Sequence, residues 1–178
     1  MQLPESVRRN LVLLAVLGLL FAFLVVENPR LLLFFVAITV TAGFTVFEAK
    51  YDMPIEISPV FFFALIITNY LGLGYTLAFI ILGAALPAVQ NGRGKDVHLF
   101  IQWCIMFVLC IVSTGIFQGN IAGTGIVMSV VECLVSSAVQ ILIGMLAGVV
   151  LLRTVSFLII NLFYFLALWN LWLRFVLP

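Results

Sequence analysis

The chain has 178 residues, 65% of them hydrophobic and 8% charged, whereas a soluble domain is about half apolar and about one quarter charged. Eight Lys and Arg against seven Asp and Glu leave a formal charge of +1, which excludes both a polybasic nucleic-acid binder and an acidic tail. Seventeen Phe and the scarcity of charge exclude intrinsic disorder. The composition therefore predicts an all-α, polytopic transmembrane bundle that forms a single membrane domain over residues 1–178 and has the lipid bilayer as its main partner.

A helix crosses about 30 Å of hydrocarbon with about 20 apolar residues, and the chain offers seven such runs between polar breaks. The first, 10–26, follows Arg8-Arg9 and ends at Glu27-Asn28-Pro29-Arg30, where charge and proline stop a helix. A basic start also suits a signal peptide, but no small-x-small pattern precedes Glu27, so a retained span is expected. The second run, 31–47, gives way to Glu48–Glu56, which holds four charges and Pro54. Runs 57–71 and 74–89 are divided by the uncharged Leu71-Gly72-Leu73-Gly74-Tyr75, where Gly72 and Gly74 are expected to form a tight turn. The segment Gln90–His98, QNGRGKDVH, separates these from run 99–117. Gln118–Thr124, rich in Gly and Asn, precedes run 126–152, and Arg153 divides that from 154–176. Trp169, Trp172 and Arg174 are placed as an outer interfacial belt, and Trp103 as an inner anchor.

The uncharged break at residues 71–75 is decided by the positive-inside bias. With two crossings there and a cytoplasmic N-terminus, Arg8, Arg9, Lys50, Arg93, Lys95 and Arg153 fall inside, and Arg30 and Arg174 outside. A single long span would split these residues evenly. Seven crossings in the cell membrane, N-terminus in, are therefore expected; a re-entrant hairpin over 57–89 has the same parity and stays open.

Cys104, Cys110 and Cys133 lie in apolar runs without framework spacing, and His98 is the one histidine, so neither a disulfide scaffold nor a zinc site is expected. No HExxH, GxSxG, P-loop or paired-Asp motif occurs, so the expectation is a protein that is not an enzyme and carries no cofactor. Polar residues gather near the expected outer ends: Asn69, Tyr70, Tyr75, Thr76, Ser113, Thr114, Gln118 and Asn120. In the sixth run Ser129, Glu132, Ser136 and Gln140 share one helical face. That face continues through Gly144 and Gly148, a GxxxG match suited to close helix contact. Glu132 stands out because a carboxylate in hydrocarbon is expensive and usually functional; it is expected in the outer third of its span. The predicted ligand site is an outward-facing polar pocket formed by Glu132, Ser129, Ser136, Gln140, Asn69, Tyr75, Ser113 and Gln118, binding a small molecule.

Glu56 to Pro87, EISPVFFFALIITNYLGLGYTLAFIILGAALP, opens a helix with proline, turns at Gly-x-Gly, and continues into a helix carrying Gly83 and Ala84-Ala85. This pattern resembles the substrate-binding S components of energy-coupling-factor transporters and is similar to the cell-shape protein family MreD. The first resemblance implies a solute-binding component that works with another transmembrane subunit and ATPases. The second implies a non-catalytic structural subunit of a membrane complex.

Overall fold

A computed structural model describes residues 28–51, 53, 55–116 and 120–169. Among these the chain is all-α. Helices α1 (Pro29–Lys50), α2 (Val60–Tyr70), α3 (Leu73–Gln90), α4 (Val97–Ile116), α5 (Ile121–Leu142) and α6 (Ala147–Leu168) follow in order. α3 passes through a π-helical stretch at Ile80–Ala85, and α6 ends in another at Tyr164–Leu168. Five of the helices are long and apolar enough to cross a membrane, while α2 has 11 residues and spans only about 16 Å. The expected first span, 10–26, lies outside the described residues, as do Gln118, Trp172 and Arg174.

Local chemistry sets the helix ends. Asn28 accepts the Arg30 amide at 3.2 Å with Pro29 in the first turn of α1, and Lys50 stands in its last turn, complementing the helix dipole. Asn120 begins α5 by accepting the Gly123 amide at 2.9 Å. α2 is apolar all round, as VFFFALIITNY implies, and Val60 through Thr68 are all buried. It is the central core element, packed against α3, α4 and α5. Aromatic rings lock α6 onto it: Phe165 stacks edge-on to Phe62 at 5.1 Å, and Phe157 lies 6.0 Å from Phe61.

The α2–α3 turn needs one glycine. Gly72 has φ +92° and ψ 172°, a region essentially reserved for glycine. Gly74 instead lies in the first turn of α3, with open space around its Cα. The expected glycine pair is thus corrected to Gly72 alone, and Thr68 and Thr76 pin the hairpin through hydroxyls 2.8 Å apart. Gly72→Leu is expected to cost about 1–3 kcal/mol, whereas Gly74→Leu should leave the melting temperature in detergent unchanged or raised.

The sixth and seventh runs divide elsewhere than expected. α5 ends at Leu142 and α6 begins at Ala147, so the boundary at residues 152–154 is corrected by about ten residues. Gly144, at φ +88°, supplies the left-handed cap, with the Met145 amide bonded to the Gln140 carbonyl at 3.1 Å. The turn also separates Gly144 from Gly148, so the two do not form a single helical face. Because α5 starts at Ile121, Glu132 lies about 16 Å along it, at mid-helix rather than in the outer third.

Candidate functional site

The α2–α3 turn and the α4–α5 connection mark one end of the bundle. The other end gathers the connections after α1, after α3 and after α5, and a network of buried polar groups starts there. Glu48, in the last turn of α1, turns its Oε1 toward the irregular segment before α2. That oxygen accepts the Ile57 and Ser58 amides, each at 2.7 Å. A buried connection must satisfy its amides internally, and one carboxylate oxygen satisfies two of them. Tyr164 Oη ties the same segment to α6 by donating to the Ile57 carbonyl at 2.8 Å.

Glu56, held beside this turn, reaches into the bundle. Gln102 Nε2 of α4 donates to its Oε2 at 2.8 Å, and its own amide meets Ser156 Oγ of α6 at 3.4 Å. Burial pushes the Glu56 carboxyl above the usual carboxylate range, opposed by the Gln102 hydrogen bond and by the charges of Arg153 and Arg93. Arg153 Nη1 donates to His98 Nε2 at 2.7 Å. Guanidinium has no acceptor, so that imidazole nitrogen accepts and the ring is neutral. Arg93 is paired with Asp96 at 3.1 Å.

These groups border two adjoining cavities. The larger, about 30 Å³, is lined by Thr45, Glu48, Glu56, Ser58, Arg93, Gln102, Trp103 and Arg153, among others. The smaller, about 10 Å³, is lined by Glu56, Gln102, Glu132, Cys133, Ser136, Gln140, Arg153, Thr154 and Phe157. Glu56, Gln102 and Arg153 belong to both and form the partition between them. The result is a charged chamber inside an apolar bundle, able to hold small polar or ionic species by oxygen and guanidinium contacts.

The expected site residues divide. Glu132, Ser136 and Gln140 come together on the smaller cavity. Ser129 is buried on the same helix but bonds the Gly125 carbonyl at 2.7 Å and lines neither cavity. Asn69 donates to the Leu65 carbonyl and Ser113 to the Cys110 carbonyl, each within its own helix. The exposed Tyr75 packs edge-on against Phe34 at 5.4 Å. These last three lie toward the opposite end, so the pocket expected from them is not assembled among the described residues. Sequence reasoning missed Glu48, Glu56 and Gln102, gave Arg153 a topological role, and gave Arg93 a topological role with partner docking as the alternative. A glutamine inside an apolar run was the available signal for Gln102.

Fold and site together define an all-helical chain with five helices long and apolar enough to cross a membrane and a polar chamber near one end of its bundle. Comparison with protein-family models, with curated proteins and with solved structures finds no match for the chain.

Proposed function

We propose that the chain is a membrane-embedded solute-binding or transport component whose site is this chamber. The observation that carries the reading is the convergence of Glu48, Glu56, Glu132, Arg93 and Arg153 on adjoining cavities. Glu48 and Glu132 are buried and Glu56, Arg93 and Arg153 half-buried. Burying an ionisable group costs several kcal/mol, so such a cluster is a poor way to stabilise a small bundle, and intramembrane ionisable residues usually mark solute or ion paths. The seven-crossing, N-terminus-inside orientation in the cell membrane belongs to the same proposal. In that orientation the chamber lies in the cytoplasmic half, beside Lys50, Arg93 and Lys95, rather than at the outer face. The resemblance of Glu56–Pro87 to S components favours a component that works with another transmembrane subunit and ATPases.

A structural subunit is the second reading, supported by an apolar groove of about 520 Å³ between α4 and α5. Its walls include Phe100, Val108 and Val135, a surface suited to a helix of another subunit. Thermal unfolding of the purified chain against small charged and polar solutes separates the two. A binder is stabilised by its ligand, and Glu56→Gln should fold yet lose that stabilisation. If no solute shifts the melting temperature while the chain co-purifies with other membrane proteins, the structural reading replaces the first.

A further inference from the structure

We infer that the smaller cavity is a binding site for one dehydrated monovalent cation of about the size of sodium. Two unpartnered acceptors line it. Glu132 is 1% exposed and Gln140 6% exposed, and the Oε1 atom of each is buried without a hydrogen-bond partner. A buried acceptor left unsatisfied costs about 1–3 kcal/mol, so two on one cavity call for a shared occupant. Neighbouring donors are engaged, and the Ser136 hydroxyl and the Gln102 amide also lie within reach of the Glu132 carboxylate. Gln140 Nε2 is on Ser136 Oγ at 3.1 Å, Gln102 Nε2 is on Glu56, and Arg153 Nη1 is on His98. What is left unpartnered toward the space is the two Oε1 atoms, beside the remaining N–H groups of Arg153.

Charge and size narrow the occupant. With both carboxylates ionised, Glu56 and Glu132 face one guanidinium, that of Arg153, and a single monovalent cation balances the remaining charge. A cavity of about 10 Å³ takes about one water-sized sphere, so a hydrated ion is excluded and protein oxygens must replace its shell. Carboxylate, amide and hydroxyl oxygens suit a hard cation. Among the described residues no group of three His, Cys, Asp or Glu is placed to hold a metal, and the Cys133 thiol is turned to the Thr154 carbonyl at 3.6 Å, which disfavours soft metals. The competing occupant is a water on the Gln140 oxygen with a proton on Glu132, which the acidification arm of the test distinguishes from a cation.

Binding of the ion stands on these contacts alone. It rests on the transport reading only for what the ion would be coupled to. The test is thermal unfolding of the purified full chain in sodium chloride against choline chloride at equal ionic strength and pH. Sodium should give a saturable rise of roughly 5–10 °C at a hundredfold excess over Kd. Glu132→Gln and Gln140→Leu should abolish that rise, and Thr114→Val, near the far end of α4, should keep it. Equal curves in sodium and choline overturn the inference, as does a sodium response that survives Glu132→Gln. If melting instead rises only on acidification, and Glu132→Gln removes that rise, the occupant is a proton and the cation site is rejected. Should a variant fail to fold, radioactive sodium binding to the wild-type chain decides, and no bound sodium overturns the site. The solute panel is scored separately, so either reading can fail without the other.

Discussion

Replacing Glu48 with Ala is expected to destabilise the chain by about 2–4 kcal/mol, because it strands the buried Ser58 amide at about 1–3 kcal/mol, strands the half-buried Ile57 amide at less than that, and removes a packed side chain. The Ile57 and Ser58 amides both depend on one carboxylate oxygen at 2.7 Å. Glu48→Gln keeps an acceptor oxygen at the same place. It loses the strength of a charged acceptor but also removes the cost of burying that charge, so it should cost only about 1 kcal/mol. The gap between the variants is the measurement, read from thermal or denaturant unfolding. In the Ala variant, hydrogen exchange at the Ile57 and Ser58 amides should also accelerate. If Ala and Gln melt alike, the connection is held by its packing instead, and Glu48 is free to be read as part of the solute site.

The helices were legible where polar breaks coincide with caps. The expected runs 31–47, 57–71, 74–89 and 99–117 fall within three residues of the ends of α1 to α4. Asn28-Pro29 before α1 and Pro59 before α2 are visible in sequence and stand at the helix starts in structure. The boundary between α5 and α6 was not legible, because a glycine in an apolar run signals close packing as readily as a left-handed cap. Arg153 misled for the opposite reason. A charge in hydrocarbon looks like an interruption, but His98 on α4 takes its guanidinium, so α6 continues through it.

The site shows the same division. Glu132, Ser136 and Gln140 were found because helical spacing is local and puts them on one face. Their partners come from distant segments: Gln102 meets Glu56 across 46 positions, and Glu56 meets Ser156 across 100. Loop charges beside a span ordinarily stay in water and set topology. Glu56 departs from that because Glu48 folds its segment back into the bundle, a tertiary event no periodicity records. Arg93 and Arg153 serve both purposes without conflict, since a charge that orients a helix end can also border a cavity there.

Gly125→Leu is expected to be among the most damaging apolar substitutions, at about 3 kcal/mol, the upper end for forcing extra atoms into a packed core. A Cβ at this position would overlap the ring of Phe165. That ring is fully buried and edge-on to Phe62 at 5.1 Å, so it has no free space to withdraw into without releasing α6 from α2. Gly148, in the first turn of α6, has nothing within 4 Å of a built Cβ, so Gly148→Ala should be neutral or stabilising by up to about 1 kcal/mol. The contrast separates a clash from a general demand for glycine in membrane helices. Phe165→Ala alone should cost about 3–5 kcal/mol through the cavity it opens. In the double variant the new leucine fills part of that cavity, so the combined loss should be smaller than the sum by more than the roughly 0.5 kcal/mol seen for independent sites. Melting temperatures of the four proteins measure the coupling. If the two losses simply add, the glycine is not there for Phe165, and the close approach of α5 to the end of α6 does not explain why residue 125 has no side chain.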